Sequence, residues 1–253
     1  MAGSLRIDGA GPCAGGRTIP AVTRIDADHL PHGDEKVAAV RSMFDTIAPR
    51  YDLVNRVMTF RLDVGWRRRT VRDLALPAGS RVLDLACGTG DLCRDLVRAG
   101  HAPIGIDLSF GMLAAARTGA PLVQADALRL PIADGRVDGV TCGFALRNFV
   151  ELGPFLAELG RVTRPGGRIA LLEVAEPANP VLRTGHGVYF GHVVPRIGGL
   201  LSDGDAYRYL PKSVAYLPPT AELMALVRDA GFPDATRTTL SGGISQLIVG
   251  TRA

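Results

Sequence analysis

The chain has 253 residues, of which 47% are apolar and 21% charged, with a net charge of +4; this balance is that of a globular protein and excludes a disordered or collagen-like chain. No run of about 18 apolar residues occurs, and the nearest approach, 188–201, is broken by His192, Pro195 and Arg196, so neither a membrane span nor a secretory signal is expected. The four cysteines (Cys13, Cys87, Cys93 and Cys142) show no CxxC spacing, which points to free thiols in a reducing, cytoplasmic compartment and to no metal site.

Residues 1–35 are Gly-, Pro- and Ala-rich and predict a flexible leader, with one domain following over 36–253. Val37, Val40, Met43, Phe44 and Ile47 fall at helical spacing, Pro49 interrupts, and Leu53, Val57 and Met58 resume the pattern; Trp66–Leu74 predicts a third helix. Across 41–72 eight arginines stand against three aspartates. Such a run is most simply a solvated helix face, or else a surface for anionic lipid.

After Gly79 strands and helices alternate. Strands are predicted at Arg81–Ala86, Pro103–Ile106, Leu122–Gln124, Val137–Cys142 and Arg168–Val174. Helices are predicted at Gly90–Ala99, from a Ser109 cap through Arg117, and at Glu151–Val162. This alternation implies right-handed crossovers and a doubly wound, mainly parallel α/β sheet. A helix at Ala221–Ala230 and strands at Ala235–Leu240 and Ile244–Thr251 follow; the short link between the two strands predicts an antiparallel C-terminal hairpin in a seven-stranded sheet.

The strongest local signal is VLDLACGTGD at 82–91, a buried strand running into a glycine turn and a helix. In open α/β sheets such a turn lies at the ligand-binding edge. Gly88 and Gly90 allow a tight turn and close approach to a ligand. A dinucleotide site wants GxGxxG, but Cys93 holds the third glycine's place, and Asp91 at the helix start disfavours a pyrophosphate. With Asp84 below the loop, the pattern suits a cationic amino-acid group. Asp107 ends the second strand, where an acid accepts both ribose hydroxyls, and Asp126 ends the third, within reach of an adenine amino group, with the Ala127 N–H beside it. Asp107 or Asp126 alone reads equally as a turn cap; the set points to S-adenosyl-L-methionine.

These residues resemble a class I S-adenosylmethionine-dependent methyltransferase, and more narrowly the ubiquinone/menaquinone biosynthesis C-methyltransferases over roughly residues 40–245. MFDTIAPRYDLVNRVMTF at 43–60 with GWRR at 65–68, FALRNF at 144–149, RVTRPGGRIALLEVAEP at 161–177, HVVPRIGGLLS at 192–202 and DAYRYLPKSV at 205–214 carry the likeness. The resemblance implies methyl transfer to a ring carbon of a demethylated prenyl quinol, with demethylmenaquinol as the leading acceptor. It places Thr89, Asp107, Asp126 and Ala127 at the cofactor, with Asp84, Gly88 and Gly90 shaping the loop, and Arg147, Asn148 and Tyr51 beside the reacting ring. Asp63, Gly143 and Ile248 depart from the family pattern, near the expected mouth and last strand.

Carbon methylation needs an electron-rich ring, an apolar slot and a means of handling the phenolic proton. Arg147 is expected to stabilise the phenolate and Asn148 to orient the ring hydroxyl. His186 and His192 are weaker candidates for a base. Residues 36–75 and 178–217 are expected to pack as a helical lid with an apolar mouth, drawn from Met43, Phe44, Val54, Met58, Phe60 and Phe190, in peripheral contact with a membrane. A different aromatic or polyketide-like acceptor is the first alternative. A non-catalytic nucleoside- or RNA-binding module is the second, disfavoured because no RNA-binding motif is present, so no nucleic-acid partner is expected.

Overall fold

The computed structural model describes residues 32–201, 206, 209 and 212–253. Most of the expected leader lies outside them, as do Cys13 and Tyr207. Seven strands make one sheet in the order β3-β2-β1-β4-β5-β7-β6. They are β1 (Arg81–Leu85), β2 (Ala102–Asp107), β3 (Leu122–Gln124), β4 (Val137–Gly143), β5 (Thr163–Val174), β6 (Thr236–Leu240) and β7 (Ser245–Thr251). The first five strands pair in parallel, and β7 is antiparallel to both β5 and β6, as the hairpin expectation required.

The central strands are apolar on both faces because helices cover both sides. Along β5, Ile169 and Leu171 face one cluster with Phe155, Leu156 and Leu159 of α6 (Leu152–Val162) and Leu223 and Val227 of α9 (Thr220–Asp229). The alternate residues Ala170 and Leu172 face Trp66, Val71 and Leu74 of α3 (Leu62–Leu74) and Leu92 and Leu96 of α4 (Asp91–Arg98). This is the period-two alternation of a strand.

A third cluster stands apart from the sheet. Ala39, Met43 and Ile47 of α1 (Gly33–Ile47) meet Val54 and Met58 of α2 (Tyr51–Met58), Met112 of α5 (Phe110–Ala114), and Val194 of α8 (Val194–Leu201) with Ala206 and Tyr209. Ile47 and Val54 are fully buried, a contribution of about 1.5–3 kcal/mol each. The N-terminal helices and the insert that follows α7 (Pro180–Val188) are therefore packed into one apolar unit. Of the expected mouth residues, Met43, Val54 and Met58 are spent in this core, while Phe60 remains 74% exposed.

Several boundaries differ from the sequence expectation: α3 starts at Leu62 rather than Trp66, and β5 at Thr163 rather than Arg168. Helix α1 begins at Gly33, ahead of Lys36. Helix α5 has its Ser109 cap but ends at Ala114, short of Arg117, whose N–H instead donates to the Thr89 carbonyl at 3.1 Å. A long-range bond to the glycine loop there replaces a further helical turn.

Candidate active site

Strands β1 and β4 are neighbours at the point where strand order reverses, so their outgoing loops diverge and leave a crevice. The crevice opens into a cleft of about 920 Å³ lined by both loops and by Val37, Val40, Phe44 and Tyr51 above them. The loop after β1 turns through left-handed backbone at Ala86 (φ 50°), Gly88 (φ 54°) and Gly90 (φ 80°). At Gly90 a Cβ would stand 2.7 Å from the Thr118 methyl, so the position admits no side chain without displacing Thr118.

Asp107 lies at the carboxyl end of β2 and lines the cleft. Its Oδ2 accepts the Gly88 N–H and its Oδ1 the Ser109 N–H, each at 2.8 Å. Burial nevertheless holds its pKa above the usual carboxylate range, opposed by those backbone bonds. Asp126 accepts the Leu128 N–H at 2.9 Å and lines the cleft with Ala127. Two acids and a bare glycine backbone, set among Ile106, Leu108, Met112 and Leu128, fit a nucleoside: carboxylates for hydroxyl or amino donors, apolar walls for a base.

The other loop residues serve the protein itself. Asp84 is buried beneath the loop, where Thr141 Oγ1 donates to it at 2.8 Å and Cys93 Sγ at 3.3 Å. Burial pushes its carboxyl pKa up to about 7. It does not line the cleft. Thr89 does not line it either; its hydroxyl donates to Asp52 of α2. Asp91, at the start of α4, does not line the cleft either. It pairs with Arg56 at 3.3 Å, Arg67 at 3.0 Å and Arg94, because α2 and α3 bring their arginines against the first turn of α4. Arg56 and Arg67 of the 41–72 run are thus bound into ion pairs, while Arg41, Arg50, Arg61, Arg68 and Arg72 are exposed, as a solvated face requires.

Tyr51, Phe144, Asn148 and Phe149 line the same cleft. The Asn148 Oδ1 is buried without a hydrogen-bond partner, so a ligand donor is what would satisfy it. Burial raises the Tyr51 pKa, with the positive charge of Arg147 acting the other way, so the phenol stays protonated at neutral pH. Arg147 itself is turned from the cleft lining: Nη1 donates to Glu173 Oε1 at 2.5 Å and to the Phe144 carbonyl at 2.6 Å, and Nε donates to Ser213 Oγ at 3.0 Å. Its acid partner, Glu173, is fully buried.

Sequence reasoning overlooked Glu173, although an acid inside the apolar run of β5 was a visible signal. It also overlooked Lys36, whose buried ammonium donates to the Phe149 carbonyl at 2.8 Å and sits 3.6 Å above the Tyr216 ring. Burial lowers its pKa to about 8. Asp45, equally unremarked, accepts the Ser109 hydroxyl at 2.5 Å and the Gly111 N–H at 2.8 Å, binding α1 to the α5 cap.

His186 packs its ring 4.3 Å from Phe190, and neither it nor the exposed His192 lines the cleft. Of the three departures, only Gly143 does. Asp63 is buried in an ion pair with Arg67 at 2.5 Å, and Ile248 is in the core beside α6 and α9. Ile248 lies in the last strand, β7, as expected, and neither it nor Asp63 lines the cleft. Among the described residues no cluster suited to a metal ion occurs, and no helix is long and apolar enough to cross a membrane.

The model of the ubiE/COQ5 methyltransferase family matches residues 32–252. A ubiquinone/menaquinone biosynthesis C-methyltransferase of Syntrophotalea carbinolica is 42% identical over 238 residues, covering 90% of this chain and 98% of its own. A demethylmenaquinone methyltransferase of Thermus thermophilus is 44% identical over 221 residues, covering 83% of this chain and 100% of its own. Among solved structures, a SAM-dependent methyltransferase of Thermotoga maritima aligns with a TM-score of 0.60 at 19% identity, covering 84% of this chain and 99% of its own. A Haemonchus contortus phosphoethanolamine N-methyltransferase in complex with S-adenosylmethionine aligns at 0.51 and 13% identity, covering 70% and 49% respectively. These structural likenesses show the fold.

Proposed function

The chain belongs to the ubiE/COQ5 methyltransferase family, and from that premise we propose that it transfers a methyl group to a ring carbon of a demethylated prenyl quinol, demethylmenaquinol first. It is an S-adenosylmethionine-dependent methyltransferase. The relatives' names support the acceptor. The observation that carries the reading is that one apolar cleft is lined by Asp107 and Asp126 and also by Tyr51 and Asn148.

Asp107 and Asp126 would hold the ribose and adenine, and the Gly88–Gly90 loop would lie against the donor. The donor supplies an electrophilic methyl group on a sulfonium. The chain's residues supply the rest. Phe44, Phe144 and Phe149 line the space for a flat ring and exclude water. Asn148 Oδ1 accepts a ring hydroxyl hydrogen and fixes the ring's rotation. The Tyr51 phenol donates a hydrogen bond to the oxygen whose proton is leaving, and Arg147, behind it, adds a positive field that favours the phenolate.

The exposed residues support peripheral contact with a membrane, on the inner face of the plasma membrane. Leu53, Val57, Phe60 and Leu62 of the α2–α3 region and Val181, Leu182 and Val188 of α7 are all exposed. Phe60 and Tyr189 bring the two groups together at 5.6 Å. Exposed Arg61 and Arg183 lie in the same segments and suit anionic headgroups. A prenyl tail leaves lipid at a cost of about 0.8 kcal/mol per CH₂, so an enzyme that works at the surface avoids extracting it.

Incubation with labelled S-adenosylmethionine and a panel of reduced quinones tests the reading. Label is expected in the demethylated prenyl quinol. Label only in unprenylated aromatics would replace this acceptor with the soluble alternative.

A further inference from the structure

Glu173 is fully buried at the carboxyl end of β5. Its carboxylate accepts three bonds: from Arg147 Nη1 at 2.5 Å, from the Arg147 backbone N–H at 3.2 Å and from the Val174 N–H at 2.8 Å. The second is the informative one. It fastens the backbone of the single 3-10 turn Leu146–Asn148 that delivers Asn148 to the cleft. The same Arg147 guanidinium also ties back to the Phe144 carbonyl and across to Ser213, a buried residue of the 178–217 segment.

Burying a carboxylate and a guanidinium together is a poor way to gain stability, because desolvation offsets their attraction and an apolar pair of like volume does as well. What the ion pair supplies that an apolar pair does not is direction. Four directed bonds fix one short turn, and the next side chain on that turn presents an unpartnered Oδ1 to the cleft.

We infer that Glu173 is a positioning residue for methyl transfer: it acts through Arg147 to hold Asn148 in register with the acceptor ring. The inference deepens the reading above and rests on the acceptor lying beside Asn148. Glu173 touches neither donor nor acceptor, so its loss acts on turnover and leaves donor binding alone.

The test compares the full-length wild type with Glu173→Gln, which keeps the shape and removes the charge. Turnover on reduced demethylated prenyl quinol is counted per donor-binding site, measured by calorimetry with S-adenosylhomocysteine, so misfolded protein drops out. Glu173→Gln is expected to keep its donor Kd within about twofold and lose roughly ten- to a hundred-fold in kcat. Its Asn148 side-chain amide signals in ¹⁵N NMR should move. A double variant, Arg147→Met with Glu173→Leu, should keep its melting temperature within a few degrees and still lose turnover. Wild-type kcat in either variant overturns the inference. If the wild type itself methylates no quinol, the acceptor reading fails separately. The Asn148 amide signals then decide alone: unmoved in Glu173→Gln, they overturn the inference, and moved, they support it.

Discussion

The hydroxyl of Thr89 donates to the carboxylate of Asp52, so the middle of the glycine-rich loop is fastened to a helix 37 residues earlier in the chain. The loop at the donor site is thus shaped by β1 from below and by α2 from the side. Asp52→Ala is expected to lower stability by about 1–2 kcal/mol, the worth of a charged hydrogen bond, and to weaken donor binding several-fold. Urea unfolding and calorimetry on the same preparation check both numbers. Unchanged donor affinity would mean the loop holds its shape without α2.

Asp107 is expected to dominate donor affinity. Asp107→Asn keeps the size and removes the charge, and should weaken binding on the order of a hundred-fold through lost charge-assisted bonds. The raised pKa adds a pH signature. Protonation removes the acceptor that hydroxyl groups need, so affinity should fall as pH drops through that raised value. Calorimetric titrations at stepwise lower pH read this directly.

Asp84 makes an opposite contribution to stability. Its folded pKa of about 7 lies above the unfolded value, so the folded chain retains a proton that the unfolded chain has released. For this group stability is greatest at acidic pH and declines as pH rises toward 7, by up to about 4 kcal/mol. Asp84→Asn should flatten that slope. Urea midpoints from pH 5 to 8 for both proteins provide the check, and parallel slopes would refute it.

The exposed apolar residues around Phe60 should govern lipid binding. Phe60→Ser together with Val181→Ser is expected to weaken co-sedimentation with anionic vesicles by tenfold or more, from about 1.5–3 kcal/mol per large apolar side chain. Turnover of a short, water-soluble quinol analogue should persist. Equal sedimentation of variant and wild type would remove the membrane proposal and leave methyl transfer untouched.

Gly90→Ala should cost about 1–2 kcal/mol from left-handed backbone strain alone, with more from the Thr118 methyl 2.7 Å away. The loss should appear in both thermal melting and donor affinity.

Periodicity and turn chemistry are properties of neighbouring residues, and so the alternation of strands and helices, the Ser109 cap, the C-terminal hairpin and the acids at strand ends were all legible in the chain. Asp107, the last residue of β2, lines the cleft with Asp126 and Ala127, because a residue at the carboxyl end of a parallel strand faces the ligand-binding edge of the sheet. Partnerships between distant residues were not legible. Asp91 is neutralised by arginines of α2 and α3, Arg147 is committed to a buried Glu173, and Asp63 is taken up by a buried ion pair with Arg67. A charge acquires its role from what folding brings within a few ångströms of it, and local sequence carries almost none of that information.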